Sequence, residues 1–228
     1  NAATGQLDSI DLYRQELDAG RPIFQTGRSQ SYALGVRGGT ETLRYYLGGD
    51  LDHDEGVVSY NWLNRLNTRV NLDVVPSDKV TLSSSVGFVR SKTRFAQAAS
   101  GWGVIDQIIW GSPARLNTPT RGFLRVTPEA AGEIEALADL SRFTGSVELK
   151  HSPWGWLTHR LTVGGDVGDE TNSILFPRHP LGSQYFFGAL SLGDKPLARR
   201  RVTYTTVDYS STASFDATPN LNSATSVG

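Results

Sequence analysis

The sequence contains no cysteine, no methionine and no long apolar run. Without cysteine, disulfide frameworks, thiolate zinc sites and thiol catalysis are excluded. Without an initiating methionine, residue 1 is not a translation start as written, so we expect a processed chain or a piece of a longer one. No apolar stretch approaches the ~18–20 residues that a membrane-spanning helix needs.

Charge is also scarce and nearly balanced. Charged residues make up 20% of the 228 residues, hydrophobic residues make up 38%, and the formal net charge is −1. This balance gives no bulk field that would attract nucleic acid, so we expect no nucleic-acid partner. Glycine, with 24 residues, is instead abundant.

Two short segments have the pattern of a helix. The first carries apolar residues at helical spacing, with Asp8 or Ser9 as its N-cap. Those apolar residues are Leu7, Ile10, Tyr13 and Leu17. In the second, Thr127-Pro128-Glu129 combines an N-cap, a first-position proline and a first-turn acid. It predicts a helix that runs through Glu135 and Leu137.

Most of the remaining chain alternates apolar and polar residues with a period of two, the signature of β-strands. The runs lie at about 32–37, 44–51, 66–74, 80–88, 142–150 and 157–167, with further strands expected at about 200–215 and from Leu221 onward. Several hold ~10–12 residues against a mode of ~5–6 in globular proteins, and a tilted strand crosses a bilayer in ~9–11. The sequence therefore predicts an all-β fold of about eight long antiparallel strands.

The polar positions of these runs carry many charges. They include Arg69, Asp73, Arg142, Glu148, Lys150, Arg160 and Asp166. Water solvates such a face equally well in a soluble sandwich and in the interior of a large barrel. Alternation alone therefore leaves both architectures open.

Short and long connections alternate along the chain. Tight turns are expected at 38–41, 76–79, 152–155 and 216–220, and long connections at about 52–63, 91–141 and 168–199. This rhythm places the tight turns at one end of the sheet and the long loops at the other, as in outer-membrane barrels with short periplasmic turns and long extracellular loops. The aromatic pairs Trp154/Trp156 and Tyr60/Trp62 fit either interfacial girdles or the cap of a soluble core.

Motifs along nearly the whole chain resemble SusC/RagA-type TonB-dependent outer-membrane receptors. A strand ends in Gly38-Gly39-Thr40-Glu41, turns, and returns with Tyr45 and Tyr46; His53-Asp54-Glu55-Gly56 then stands where the family typically has a loop like Asp-Gln-Glu-Gly. Further matching stretches, in order, are PIFQTG at 22–27, NRLNTRVNLDVVPSDKVTL, RFTGS at 142–146 and the closing NLNSATSVG.

The resemblance implies a transmembrane barrel of about 22 strands, of which this chain supplies about eight. Residues 1–228 then form part of a single barrel domain, and we expect plug and N-terminal domains to be absent from it. The resemblance further implies a bacterial outer-membrane location, contact with lipid, and coupling to TonB through parts outside this sequence. It implies import of oligosaccharide, peptide or chelate ligands, with a SusD-like lipoprotein as a lid and no enzymatic chemistry.

Two other hypotheses remain open at the level of sequence. One is a self-contained eight-stranded outer-membrane barrel that acts as an adhesin or structural protein. The other is a soluble β domain that binds or cleaves glycans. Folding in plain buffer without detergent favours the last, and a heat-dependent mobility shift in detergent favours the first.

The best ligand-binding candidates are aromatic residues of the 91–141 connection. Trp102, Trp110 and Phe123 give this loop an apolar load that suits either stacking on a ligand or packing in the barrel mouth. The basic run Arg199-Arg200-Arg201 fits contact with anionic lipid headgroups at the outer rim or a solvated strand start.

Metal and catalytic signals are weak. Asp50, Asp52 and Asp54 resemble a calcium loop, but the glycine falls one place late and Asn61 occupies the twelfth position, which excludes an EF-hand and leaves only a looser Ca²⁺ site. The four histidines have no metal-ligand spacing; they are His53, His151, His159 and His179. Nothing in the spacing of Glu133/Glu135 or Asp169/Glu170 favours a catalytic carboxylate pair over solvated charge. We expect no required cofactor.

Overall fold

Eight antiparallel strands form one sheet in the order β1 to β8, so that each strand pairs with its neighbours in sequence. The computed structural model describes residues 5, 9–96, 101–178, 190, 192–218 and 221–228. The strands are β1 Arg28–Gly39, β2 Leu43–Glu55, β3 Trp62–Ser77, β4 Val80–Phe95, β5 Glu135–Trp154, β6 Leu157–Leu175, β7 Leu197–Thr218 and β8 Leu221–Val227. The predicted all-β fold of eight long antiparallel strands is confirmed.

The sheet is open at both edges. Among the described residues, β1 pairs only with β2 and β8 pairs only with β7. The β7–β8 pairing begins at Ser211, so the first part of β7, residues 197–210, has no neighbour beyond β6. The eight strands therefore do not close into a barrel by themselves.

The tight turns lie at one end of the sheet and the longer connections at the other. Residues 40–42, 78–79 and 155–156 form the turns. Within the turn expected at 216–220, residues 216–218 belong to β7, and residues 219 and 220 lie outside the described residues. At the opposite end, which we call the loop end, the connections are 56–61, 96–134 and 176–196.

The expectation of a long connection over 52–63 is wrong. Strands β2 and β3 stay paired as far as Glu55 opposite Trp62, which leaves only residues 56–61 outside the ladder. Pairing satisfies backbone groups that a loop would leave to water, so the strands extend beyond the strictly alternating part of the sequence.

The first helix, α1 (Leu12–Asp18), starts later than expected. Its N-cap is Asp11, whose carboxylate accepts a hydrogen bond from the Arg14 backbone N–H at 3.0 Å. Ser9 therefore does not cap it, and residues 7 and 8 of the expected helix lie outside the described residues.

The face that α1 buries also differs from the predicted one. Leu12 and Glu16 are buried, whereas Tyr13 and Leu17 are exposed. The i, i+4 spacing holds, but one of the two inward positions carries a glutamate, and a pattern of apolar residues does not reveal a buried charge.

The connection 96–134 contains more helix than predicted. α2 (Val104–Ile109) and a 3₁₀ turn over Pro113–Arg115 were not expected. α3 (Pro128–Glu133) begins as predicted, with Thr127 as its N-cap. Its extension through Glu135 and Leu137 is wrong, because Ile134 takes an extended conformation and both residues join β5.

The packed core lies at the loop end and not on the sheet. One cluster of buried side chains joins the N-terminal segment, the 56–61 connection and the long connection; its members are Leu12, Ile23, Val58, Val104 and Phe123. A second cluster comprises Val126, Ala130, Ala131, Ile134 and Phe176. We call segments 9–27, 56–61 and 101–134 the rim module.

No helix in the described part of the chain combines the length and apolar character needed to cross a membrane. That finding concerns helices alone and has no bearing on β-barrels.

Candidate functional site

The two faces of the sheet differ sharply in chemistry. Residues directly opposite each other in an antiparallel ladder share a face, so the register assigns every side chain. One face, which we call the polar face, collects the charges predicted from alternation, including Arg69, Asp73, Glu148 and Arg160. We call the opposite face the apolar face.

The apolar face is exposed and carries no charge over its middle. Four successive rows across β1 to β7 contain no Asp, Glu, Lys or Arg; the first row is Leu34, Gly49, Thr68, Phe88, Phe143, Val167 and Thr203, and the last ends at Tyr209. Many of these side chains face solvent in the isolated chain: Leu34 is 77% exposed and Val207 is 66% exposed. We call these rows the apolar band.

Near the loop end, hydrogen bonds and an ion pair join side chains of the polar face. Asp52 accepts a hydrogen bond from the Ser31 hydroxyl at 2.6 Å and forms an ion pair with Arg65 at 2.8 Å. The Asn67 amide donates to Asp50 at 2.5 Å. These contacts tie β1, β2 and β3 together through groups that also remain accessible to water or solute.

A second set of contacts lies further across the same face. Arg142 of β5 forms a forked ion pair with Asp166 of β6, with its Nε 2.9 Å from one carboxylate oxygen. Cavities of about 230, 270 and 560 Å³ open along this face and are lined largely by its residues, among them Arg142, Asp166 and Tyr204. The polar face of the sheet therefore offers both donors and acceptors to a solute.

At the loop end, a buried carboxylate connects the N-terminal segment to the long connection. Glu16 has no solvent exposure and pairs with Arg21 at 2.7 Å and with Arg121 at 3.0 Å. Arg121 also pairs with Glu129 of α3 at 2.9 Å. We call these four residues the rim clamp.

The electrostatics of the rim clamp favour charged carboxylates. Burial raises the pKa of Glu16, but hydrogen bonds and charge from Arg21 and Arg121 outweigh it and leave that pKa below its ordinary value. Burial likewise raises the pKa of Glu129, and its hydrogen bonds together with Arg121 reverse the shift. Arg121 adopts a positive φ of 52°, a conformation unusual for a residue other than glycine, so the clamp holds a strained backbone in place.

Tyr60 packs within the rim module, against the cluster that contains Leu12 and Phe123. Burial raises its pKa to about 12, against the opposing influence of the nearby Arg94 charge. The Arg94 guanidinium lies 5.6 Å from the centre of the Tyr60 ring and donates to the Gly132 carbonyl at 2.7 Å. The sequence left Tyr60 open between an aromatic girdle and the cap of a core, and the structure gives it a packing role.

The three aromatic residues predicted to bind ligand do not come together. Phe123 has no exposure and belongs to the core beside Leu12, which makes it a packing residue in this conformation. Trp102 meets Phe176 edge-on at 5.7 Å and has Arg125 over its ring at 5.2 Å. Trp110 is 66% exposed, so a ligand contact there stays a prediction.

The calcium candidates Asp50, Asp52 and Asp54 lie on strand β2 and not in a loop. Their carboxylates point to the polar face, and each has a neighbouring polar partner; for Asp54 it is the Ser29 hydroxyl. Across the described ranges, no group of three or more His, Asp or Glu residues is placed to hold a metal ion.

The fold also separates the other residues considered for catalysis or metal binding, or gives them neighbouring side chains as partners. Asp169 and Glu170 are adjacent on β6 and therefore point to opposite faces, so they do not form a catalytic dyad. His159 lies on the apolar face as predicted, stacks against His151 with ring centres 6.2 Å apart, and hydrogen-bonds the Tyr209 hydroxyl at 2.9 Å. His179 lies outside the described residues.

Comparison with solved structures shows where this fold is found. The chain superimposes on the RagAB peptide transporter with a TM-score of 0.69, and on the RagAB peptide importer in its closed-closed and open-open states with TM-scores of 0.66. Sequence identity is 14% in each case. Each match covers 86% of this chain and 23% of the matched chain, so the chain spans about a quarter of the length of those proteins.

No protein-family model matches the sequence, and no curated protein matches it. The structural likeness therefore shows the fold of the sheet and nothing finer.

Proposed function

We propose that this chain forms part of the wall of a TonB-dependent transport barrel in a bacterial outer membrane. The observation that carries the proposal is the segregation of the two faces: an exposed apolar band without charge on one side, and a polar, ion-paired surface on the other. In a water-soluble protein such an exposed apolar band calls for a covering partner. Lipid provides that cover in a transmembrane barrel.

The dimensions of the apolar band support a membrane wall. On β3 the apolar face carries no charge from Leu66, one row beyond the apolar band, to Val74, which is about 26 Å at ~3.3 Å per residue. A strand tilt of ~40° reduces this to roughly 20 Å along the membrane normal, close to the ~25 Å band of outer-membrane barrels. Stacked Trp154 and Trp156, with ring centres 5.7 Å apart, lie at the tight-turn end where an aromatic girdle is expected.

The open edges support a larger barrel over a self-contained one. Both β1 and the first part of β7 present unpaired backbone groups, which inside a membrane must find partners. Strands outside this sequence would supply those partners in a barrel of about 22 strands. An eight-stranded barrel needs β1 to pair with β8, and the described residues contain no such pairing.

Function in this proposal is binding and passage, without covalent chemistry. Oligosaccharides, peptides and chelates remain the ligand classes, and peptides gain support from the peptide-transporter neighbours. The polar face would line the lumen, and the rim module would stand at the outer mouth, where a lipoprotein lid would dock. TonB would act through parts of the receptor outside this sequence.

Single-cysteine labelling tests the proposal directly, because the chain has no cysteine of its own. Val147→Cys on the apolar face and its neighbour Ser146→Cys on the polar face are labelled with an environment-sensitive fluorophore in the whole protein reconstituted in liposomes. We expect lipid-borne nitroxide to quench the label at position 147 strongly and the label at position 146 weakly. Equal quenching at both positions would contradict a membrane wall.

Topology is tested in intact cells with the same approach. A membrane-impermeant maleimide should label Trp110→Cys in the rim module and leave Asp78→Cys at a tight turn unlabelled until the cells are lysed. The reverse pattern would place the rim module on the periplasmic side and contradict the proposed orientation. A chain that folds in plain buffer without detergent would instead favour the soluble β domain.

A further inference from the structure

The loop end of the apolar face carries charges that are missing from its tight-turn end. Directly beyond the apolar band, the register places Arg90, Asp169 and Arg201 in one row and Lys92, Asp139 and Arg199 in the next. At the other boundary the row consists of Val80, His151, His159 and Ser211. The two borders of the band therefore differ in charge.

Two of these cations have no partner in the described part of the chain. No hydrogen bond or ion pair joins the side chain of Arg90 or Lys92 to another described residue. Asp139 lies opposite Lys92 in the ladder but forms no ion pair with it. Arg199 and Arg201, by contrast, share Asp169, each at 3.9 Å. We call Arg90 and Lys92 the cation pair.

The cation pair is flanked by hydrogen-bonding groups on the same face. Ser141 stands opposite Arg90, and Asn64 stands opposite Lys92. The Asn64 side-chain oxygen is taken by His53 Nδ1 at 2.6 Å, which leaves its amide N–H groups to serve as donors. Arginine and lysine two residues apart on a strand are separated by about 6.6 Å, so a single phosphate group fits between their side chains.

Aromatic and aliphatic side chains continue from the cation pair into the apolar band. Phe88 precedes Arg90 on the same face of β4 and stands directly opposite Phe143 of β5. Leu66 of β3 stands opposite Arg90. A ligand that matches this sequence of surfaces has an anionic phosphate at one end and hydrocarbon chains at the other.

We infer that Arg90 and Lys92, with Ser141 and Asn64, form a site for the anionic phosphate of a membrane lipid whose acyl chains lie over Phe88 and Phe143. The inference rests on the proposed function, because it requires the apolar band to face lipid. The proposed ligand is a lipid rather than free phosphate, because an inorganic ion would make no contact with the apolar side chains that lie beside the cation pair.

Lipid binding by the whole protein, purified in detergent, tests the site. We expect phosphatidic acid, observed by native mass spectrometry, to bind the wild type more tightly than phosphatidylcholine. Arg90→Gln/Lys92→Gln should weaken phosphatidic acid binding about 30-fold, since each cation near a lipid surface contributes about fivefold. Arg69→Gln is the matched control: it removes one cation from the polar face and should leave lipid binding unchanged.

Arg90→Lys keeps the charge and should retain most of the affinity. If the double variant fails to insert into the membrane, the single variant Lys92→Gln tests the site. We expect it to lose phosphatidic acid affinity about fivefold. Displacement of the bound lipid by millimolar inorganic phosphate would show a free-anion site and overturn the assignment to lipid. So would equal binding of phosphatidic acid by the wild type and the variants.

The cysteine probes separate the two possible failures. Lipid quenching at Val147→Cys together with unchanged lipid binding in the cation-pair variants would refute this inference and leave the proposed function intact. Loss of the quenching contrast between Val147→Cys and Ser146→Cys would refute both.

Discussion

Glu16 is the residue on which the rim module depends most. Its carboxylate has no exposure and accepts forked hydrogen bonds from Arg121 at 3.0 Å on each oxygen. Breaking a buried ion pair leaves an uncompensated charge, which costs more than the intact pair contributes. The two arginines keep part of their contact with water, so the cost falls at the lower end of the range for such pairs.

Glu16→Gln should therefore lower the stability of the rim module by about 3 kcal/mol. Protease resistance of the 101–134 segment, followed against urea concentration in the detergent-solubilised protein, measures the change. Asp18→Asn is the matched control on the same helix: its ion pair with Arg14 is exposed and contributes less than about 0.5 kcal/mol. Equal losses in both variants would show that Glu16 has no special role.

The rim clamp should also loosen in acid. The pKa of Glu16 lies below its ordinary value of 4.5 in the folded chain, so charged Glu16 stabilises the fold. That contribution is fully present above about pH 4.5 and is lost as the pH falls through the lowered folded pKa. Protease cleavage within 101–134 should rise below pH 4.5 in the wild type, and the rise should be smaller in Glu16→Gln, with Glu129 supplying the remainder.

At the scale of the strand, a tyrosine lies across glycines on the polar face. A methyl group added at Gly48 would collide with the Tyr46 hydroxyl and ring, and one at Gly35 would lie 3.4 Å from the same ring. Gly35 and Gly48 are directly paired on β1 and β2. The glycines therefore make room for an aromatic ring that covers the backbone of two strands.

Gly48→Ala should destabilise the sheet by about 1 kcal/mol, at the low end of overpacking costs, because the partly exposed Tyr46 ring must leave its place but can rotate away. Gly168→Ala on β6 is the control, since nothing lies within 4 Å of its added methyl group. The temperature at which the protein loses its heat-dependent gel mobility compares the two variants. A larger effect at Gly168 would contradict the role given to Tyr46.

The two faces of β3 provide a second test at this scale. Leu72→Arg puts a charge into the apolar band and should cost about 2–4 kcal/mol, whereas Asn71→Arg on the polar face should cost much less. The Asn71 side chain accepts a hydrogen bond from the Ser85 hydroxyl at 2.8 Å. Unfolding in urea from lipid vesicles measures both variants, and equal costs would argue against a lipid-facing band.

At the scale of the whole molecule, the ladder of the sheet runs only between the eight strands, and side-chain hydrogen bonds such as Arg94 to the Gly132 carbonyl join it to the rim module. Strands β4 and β5 remain paired as far as Phe95 opposite Ala136, and the described part of the connection between them adds no strand to the sheet. Replacing residues 97–134 with a short turn should leave the sheet and membrane insertion intact. The N-terminal segment should then become protease-sensitive, because Leu12 and Glu16 lose their partners.

Far-ultraviolet circular dichroism and the heat-dependent mobility shift report the state of the sheet in this deletion. Loss of both signals would show that the rim module is needed for the strands to form. A protected N-terminal segment would show that the rim clamp is not what holds it.

The sheet was predictable from the sequence because each strand separates two environments. The alternation of residues such as Leu72 and Asp73 indicates on which face of the sheet each side chain lies. This alternation can be detected in the sequence without knowledge of the fold. The ends of the strands were less predictable: Asp54 and Glu55 read as loop residues, yet backbone pairing carries β2 through them.

The rim module was not predictable in the same way. Its decisive contacts join Glu16 to a residue 105 positions later, and nothing near Arg121 in the sequence indicates that partner. Trp102 and Phe123 were correctly noted as an unusual apolar load, but whether such residues pack or bind depends on segments far away in the chain. Contacts between such distant segments become visible only in the folded structure.

The strand order has a consequence for the order of assembly. Because every strand pairs with its neighbour in sequence, the longest stretch that a pairing of neighbouring strands closes is the 39-residue connection 96–134, and loop closure costs less at each step than for a more distant contact. The Glu16–Arg121 contact instead closes a loop of more than a hundred residues. Hairpins should therefore form first, and the N-terminal segment should lock onto the rim last, once the strands between them are already in place.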